Sequence, residues 1–200
     1  MKKSLNIWIV ALAMSWLTLV PVRLRAGEPT QQLSATIHSF LSILMSTPVA
    51  ELQARGLPER ARHLIFSRFD FAEMTKRSLG SHWKALNVGE QGEFVEAFTQ
   101  RLLYAYGRIL HSYGGEKIQF QGEVQDRQRA SVETRVVGDR GETVPIDYKL
   151  HDVNGQWKVY DVVIDNVSLV SNYRSQFARV IAKSSLQDLL KKIKASPQDS

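Results

Sequence analysis

An α+β fold is predicted for this 200-residue chain: helices first, then an antiparallel meander, then a returning helix. Three observations carry that prediction. Residues 90–113 bear Phe94, Phe98, Leu102, Tyr106, Ile109 and Tyr113 on one stripe at helical spacing, and Gly114-Gly115 stops it. The hydrophobic period then changes to two, with Ile118 and Phe120 in one segment and Ala130, Val132, Thr134 and Val136 in the next. Finally, Val144, Ile146, Tyr148 and Leu150 alternate with Pro145, Asp147, Lys149 and His151, the mark of a half-buried strand. Asn154-Gly155 supplies a turn whose residues tolerate positive φ, and the aromatic and β-branched run 157–164 forms the returning strand. The expected sheet is mainly antiparallel and of about four strands.

The remaining elements follow in order. Residues 30–45 place Leu33, Ile37, Phe40, Leu41 and Leu44 on a helical face. Thr47-Pro48 reads as an N-cap and a first-position proline, Gly56 interrupts, and Pro58 restarts a short helix over 58–66. A further short helix opens at 69–74 and ends at Leu79-Gly80, and Trp83 sits in a brief segment before Asn87. After the hairpin, Asn166 or Ser168 can cap a helix carrying Val170, Tyr173, Phe177 and Ile181. The C-terminal helical segment ends in a tail from Ala195 that is expected to fray. There is no internal repeat, low-complexity run or linker, so residues 27–200 are expected to form a single domain.

The N-terminus reads as an export signal. Lys2 and Lys3 precede an apolar run over 5–20, Pro21 ends it, and Ala26 offers a cleavage point although Leu24 occupies the −3 position. The alternative is an uncleaved anchor, for which 16 residues are short of the roughly 20 a span requires. Processing after residue 26 removes four of the 26 basic residues and none of the 20 acidic ones. The formal charge then falls from +6 to +2, and the net charge no longer argues for nucleic acid. The basic cluster at Lys183, Lys191, Lys192 and Lys194 has two readings, cations at a helix end or a patch for anionic headgroups. No cysteine is present, which excludes disulfides, thiol nucleophiles, thiolate metal sites and N-terminal Cys lipidation.

Catalytic patterns are missing. His38, His63, His82, His111 and His151 are scattered, with none three or four residues from another, and no phosphate-binding or nucleophile-elbow motif occurs. Asp161 and Asp165, beside Tyr160, are the best acid/base candidates. A carboxylate at a strand end more often accepts backbone or hydroxyl hydrogen bonds, and that structural role is favoured for Asp161. Tyr106, Tyr148, Trp157, Tyr160, Tyr173 and Phe177 fall on elements expected to face one another. Periodicity cannot distinguish a filled core there from an apolar cavity.

Two blocks carry a resemblance. Residues 79–110 supply Leu79, Gly80, Trp83, Gln91, Phe94, Phe98, Leu102, Leu103 and Tyr106, and residues 157–177 supply Trp157, Tyr160, Asp161, Val167, Ser168, Arg174 and Phe177. At these positions the chain resembles the MlaC-like (toluene-tolerance) family of periplasmic phospholipid carriers. The resemblance implies helices on a curved sheet with a deep apolar pocket between (NTF2-like), and a phospholipid held by its acyl chains as cargo, with no cofactor, metal or catalysis. It implies a monomeric periplasmic shuttle between an outer-membrane lipoprotein–porin complex and an inner-membrane ABC transporter with MCE-domain subunits. The pocket would draw on Leu102, Tyr106 and Ile109 of the long helix, and on Val144, Ile146 and Tyr148 of one strand. The next strand and its exit would add Tyr160, Val162, Ile164 and Val167, and the returning helix Tyr173 and Phe177. Segments 124–128 and 138–141 are the expected gates. A hopanoid-like triterpenoid cargo, a protein-binding scaffold with a filled core, and an enzyme using Asp161 or Asp147 are the alternatives.

Overall fold

Alternating side chains on four consecutive strands set the frame of the molecule. The computed structural model describes residues 27–110, 115–138 and 140–195; residues 1–26, expected to form an export signal, Tyr113 and Gly114 at the expected end of the long helix, and residues 196–200 lie outside them. Strands β1 (Lys117–Asp126), β2 (Arg129–Val137), β3 (Thr143–Val153) and β4 (Gln156–Ile164) pair in sequence order, all antiparallel. A two-residue β5 (Val167–Ser168) adds a fifth strand that the sequence reading did not anticipate. The reason is a second tight turn: Asp165 and Asn166 both have positive φ, 47° and 63°, as Asn154 and Gly155 do at 54° and 80°. Positive φ at both central positions is the type I′ geometry that matches strand twist. Asn166 is therefore a turn residue, and Ser168 alone caps the following helix by accepting from Ser171 N–H at 3.0 Å.

Two bulges curve the sheet. One lies between Phe120 and Gly122 of β1, and the other interrupts the β3–β4 register at Lys149/Leu150, where β4 contributes the extra residue Tyr160. The apolar face carries Ala130 and Val132 of β2, Leu150 of β3 and Trp157, Val159 and Val162 of β4, with Leu33 of α1 (Glu28–Ser46) buried against them.

The helices form a second layer. After α1 come α2 (Val49–Arg55), α3 (Glu59–Arg68) and α4 (Phe71–Leu79), then a 3₁₀ segment at Gly80–Ala85 and α5 (Val88–Leu110). The chain returns as α6 (Leu169–Lys183) and α7 (Leu186–Lys194). Thr47 does not cap α2 as expected; its hydroxyl donates back to Ile43 O of α1, and Pro48 occupies the cap position. Asn87 and Glu90 cap α5 reciprocally, each accepting the other's backbone N–H at 3.0 and 2.9 Å. Two helices close the chain: α6 ends at its C-cap Ser184, and Ser185 caps α7 by accepting from Asp188 N–H. Lys191, Lys192 and Lys194 occupy the last turn of α7, the helix-end arrangement, with Lys194 paired to Glu93 at 2.9 Å.

Met74, Leu79, Phe94, Phe98, Leu102, Val170, Phe177 and Leu189 build a buried core among α4, α5, α6 and α7. Gly80 follows α4 and lies against Arg174 of α6. Its φ is +59°, and an added Cβ would lie 3.1 Å from Arg174 Nε, so the two motif blocks meet in space at a glycine.

Candidate functional site: an apolar cavity between α1 and the sheet

Between the sheet and the first helices lies a cavity of about 310 Å³, within the range of small-molecule sites, roughly 300–1,000 Å³. One wall is the sheet, with Ile118 of β1, Ile146 and Tyr148 of β3, and Val162 and Ile164 of β4. The facing wall is α1, through Leu33, Thr36, Ile37, Phe40 and Leu41. Leu57, Ile65, Phe69, Phe71 and Met74 close one end, and Leu102, Leu103, Tyr106 and Gly107 of α5 close another, with Leu169 at the start of α6. Most of these apolar side chains are only half-buried although they lie inside the fold. They face space instead of one another. Gly107 shows the same thing from the backbone: it is buried, and an added Cβ would meet nothing within 4 Å.

The α1 wall is held by Arg68 and Gln32. Arg68 donates to Thr36 Oγ1 at 3.0 Å, to Gln32 Oε1 at 2.9 Å and to the Trp157 carbonyl. Gln32 Oε1 also accepts from Trp157 N–H, and its amide donates to Gly155 O, both at 3.0 Å. This network fastens α1 to the β3–β4 hairpin and the end of α3. Burial lowers the Arg68 guanidinium from its usual range, and no carboxylate among the described residues pairs with it. Its aliphatic stem is what such a side chain offers to an apolar wall. Burial raises the Tyr106 phenol, with Tyr173 nearby as the smaller cause, and pushes the Tyr148 phenol up to about 12.

Of the residues expected in the pocket, Leu102, Tyr106, Ile146, Tyr148, Val162 and Ile164 line the cavity. The Ile109 side chain lies outside the described ones. The other five lie elsewhere, for distinct reasons. Val144 and Val167 sit at strand margins beyond the helices, 40% and 57% exposed. Tyr160 is displaced by the β4 bulge, its ring edge-on to His151 and 4.2 Å beneath the Arg77 guanidinium. Tyr173 and Phe177 turn into the helical core, with ring centroids 4.8 and 5.3 Å from Phe98. Segment 124–128 is not a loop, since β1 runs to Asp126 and only Arg127 and Gln128 turn. Neither expected gate contributes to the lining, and Asp139 lies outside the described residues. The missing wall, α1, had a legible apolar stripe in the sequence, but no signal said what it faced.

Two carboxylates that flank lining residues, Asp161 and Asp70, are engaged in structure. Asp161, 9% exposed, accepts from Ser168 Oγ at 2.6 Å and Val170 N–H at 3.0 Å, fixing the start of α6. Asp70 accepts from Glu73 N–H at the start of α4 and pairs with His151 Nε2 at 3.0 Å, and neither Asp70 nor His151 lines the cavity. No described helix is long and apolar enough to cross a membrane.

Known proteins resemble this chain in fold and in sequence. The phospholipid-binding protein of Ralstonia solanacearum, solved in complex with a phospholipid, superposes with a TM-score of 0.67 at 24% identity, covering 80% of this chain and 93% of that one. The toluene tolerance protein ttg2D of Pseudomonas putida is 34% identical over 42% of this chain. The intermembrane phospholipid transport system binding protein MlaC of Haemophilus influenzae is 24% identical over 59% of it. These matches span 40% and 58% of the two curated relatives' lengths. The family described as MlaC protein matches residues 35–195. The chain belongs to the MlaC protein family.

Proposed function

We propose that the protein is a periplasmic carrier that holds a phospholipid by its acyl chains in the cavity between α1 and the sheet. The observation that carries the reading is the cavity itself, walled by large apolar side chains that the fold leaves half-buried. Such surface is costly against water and suits hydrocarbon. Each methylene removed from water contributes about 0.8 kcal/mol, so acyl chains supply affinity without extensive headgroup recognition. The printed descriptions of the relatives, phospholipid binding and intermembrane phospholipid transport, support the same cargo. Residues 1–26 are an export signal and 27–200 one lipid-binding domain. The carrier moves lipid between an outer-membrane lipoprotein–porin complex and an inner-membrane MCE-domain ABC transporter, maintaining outer-membrane lipid asymmetry. It is not an enzyme, a reading supported by the structural engagement of Asp161 and Asp70. Release is the demanding step, and a partner drives it only by preferring the open or emptied conformation.

Native mass spectrometry of the protein purified from cells tests this directly. A co-purifying phospholipid mass is expected. A triterpenoid mass would replace the cargo, a bare chain would favour a scaffold, and a chemically altered lipid would favour an enzyme.

A further inference from the structure

We infer that Tyr148 reads the cargo as an acyl ester: its hydroxyl donates a hydrogen bond to an ester carbonyl oxygen of the lipid seated in the cavity. The inference rests on the carrier reading and adds a chemical requirement to it. The polar side chains of the lining are few. Thr36 is satisfied, donating to Gln32 O and accepting from Arg68 Nε, both at 3.0 Å. Arg68 is engaged through Nε and Nη1 by Thr36, Gln32 and the Trp157 carbonyl, which tie it to the α1 wall. Tyr106 lies beside Tyr173, toward the helical core. Tyr148 stands in the middle of the sheet, opposite Val132 on β2 and Val162 on β4, and lines the cavity. Its neighbours across the strands are aliphatic, and no described residue hydrogen-bonds its phenol. Burial keeps that phenol protonated through the neutral range, so it is a donor.

An unpaired hydroxyl facing an apolar space is unfavourable unless the ligand supplies the acceptor. Acyl chains have none, and in a diacyl phospholipid the first acceptors reached from the chains are the ester carbonyls. A dialkyl ether lipid of equal length fills the same space but lacks that carbonyl. A site built to hydrogen-bond a group discriminates against the analogue that lacks it.

The test offers the lipid-free protein vesicles of equimolar diester and diether phosphatidylglycerol of matched chain length. The protein is then re-isolated and its extracted lipids are weighed by mass spectrometry. The wild type is expected to carry the diester in roughly fivefold excess, the effect of one hydrogen bond. Tyr148→Phe is expected to carry both near the vesicle ratio, with a melting temperature in the lipid-free state at or above that of the wild type. A wild type that takes up both lipids equally, or a Tyr148→Phe variant that keeps the excess, overturns the role of Tyr148 while leaving the carrier intact. A wild type that takes up neither lipid contradicts the carrier reading itself.

Discussion

Two apolar regions of this molecule are built from similar side chains and end in different states. Among α4, α5, α6 and α7, Phe98 is completely buried, and Tyr173 and Phe177 meet it edge-on. Across the molecule, Ile37 and Phe40 of α1 look toward Ile146, Tyr148 and Ile164 of the sheet, and all five remain half-buried around an open space. The first region is closed by aromatic rings that reach one another. In the second, the Arg68–Gln32–Trp157 network holds α1 at a fixed distance from a sheet that two bulges curve. The side chains of the two walls, Phe40 and Tyr148 included, leave a space between them. The difference teaches that hydrophobic content does not define a core; the separation of the elements does, and here polar clamps and bulges set the separation.

The comparison breaks most sharply at Phe98. Phe98→Ala leaves a void in close-packed surroundings and is expected to destabilise the fold by about 3–5 kcal/mol, read as a large fall in melting temperature. The lipid carried per folded molecule should not change. Ile146→Asp probes the other region. Water or a displaced lipid's space can accommodate the carboxylate, so the variant should fold with a smaller stability loss than Phe98→Ala and lose co-purifying lipid. Val144→Asp, two residues along the same strand but 40% exposed and outside the cavity, should change neither property.

Asp161 sharpens the boundary between the regions, because it lies within the cavity-lining strand β4 and accepts from Val170 N–H in the first turn of the core helix α6. Asp161→Asn keeps one acceptor for Ser168 or Val170 and loses the charge. A cost of about 1–2 kcal/mol in denaturant unfolding is expected, with lipid binding intact and no turnover of lipid in either protein. A small stability effect of the opposite sign belongs to Gly107. In a helix interior, replacing glycine with leucine gains somewhat under about 1 kcal/mol of propensity, and here the new side chain enters open space. Gly107→Leu should therefore melt at or above the wild-type temperature while carrying less lipid. In a filled core the same change would overpack and destabilise.

The sequence makes the elements legible wherever a strong period is bounded by turn chemistry. The α5 stripe from Phe94 to Tyr106, the strand β3 and the Asn154-Gly155 turn all describe local geometry, and all appear in the structure. The Asp165-Asn166 turn carries the same kind of signal, but its strand is two residues long and shows no alternation. The site is less legible because it depends on which elements face each other. Tyr173 and Phe177 form a convincing apolar stripe, yet that stripe closes on Phe98 instead of the sheet. Tyr160 has the expected strand parity until the bulge shifts it. Leu33, Ile37, Phe40 and Leu41 are an evident amphipathic face, but periodicity states only that a face is apolar, not whether protein or ligand covers it.

The central claim is that the space between α1 and the sheet is filled by cargo and not by side chains. A crystal structure of the protein as purified from its own cells tests that claim most directly. The account predicts continuous density for unbranched acyl chains between Ile37 and Phe40 on one side and Ile146 and Ile164 on the other, with an ester carbonyl within hydrogen-bonding distance of the Tyr148 hydroxyl. It would be contradicted by α1 resting directly on the sheet, with those four side chains in mutual contact and no space between them.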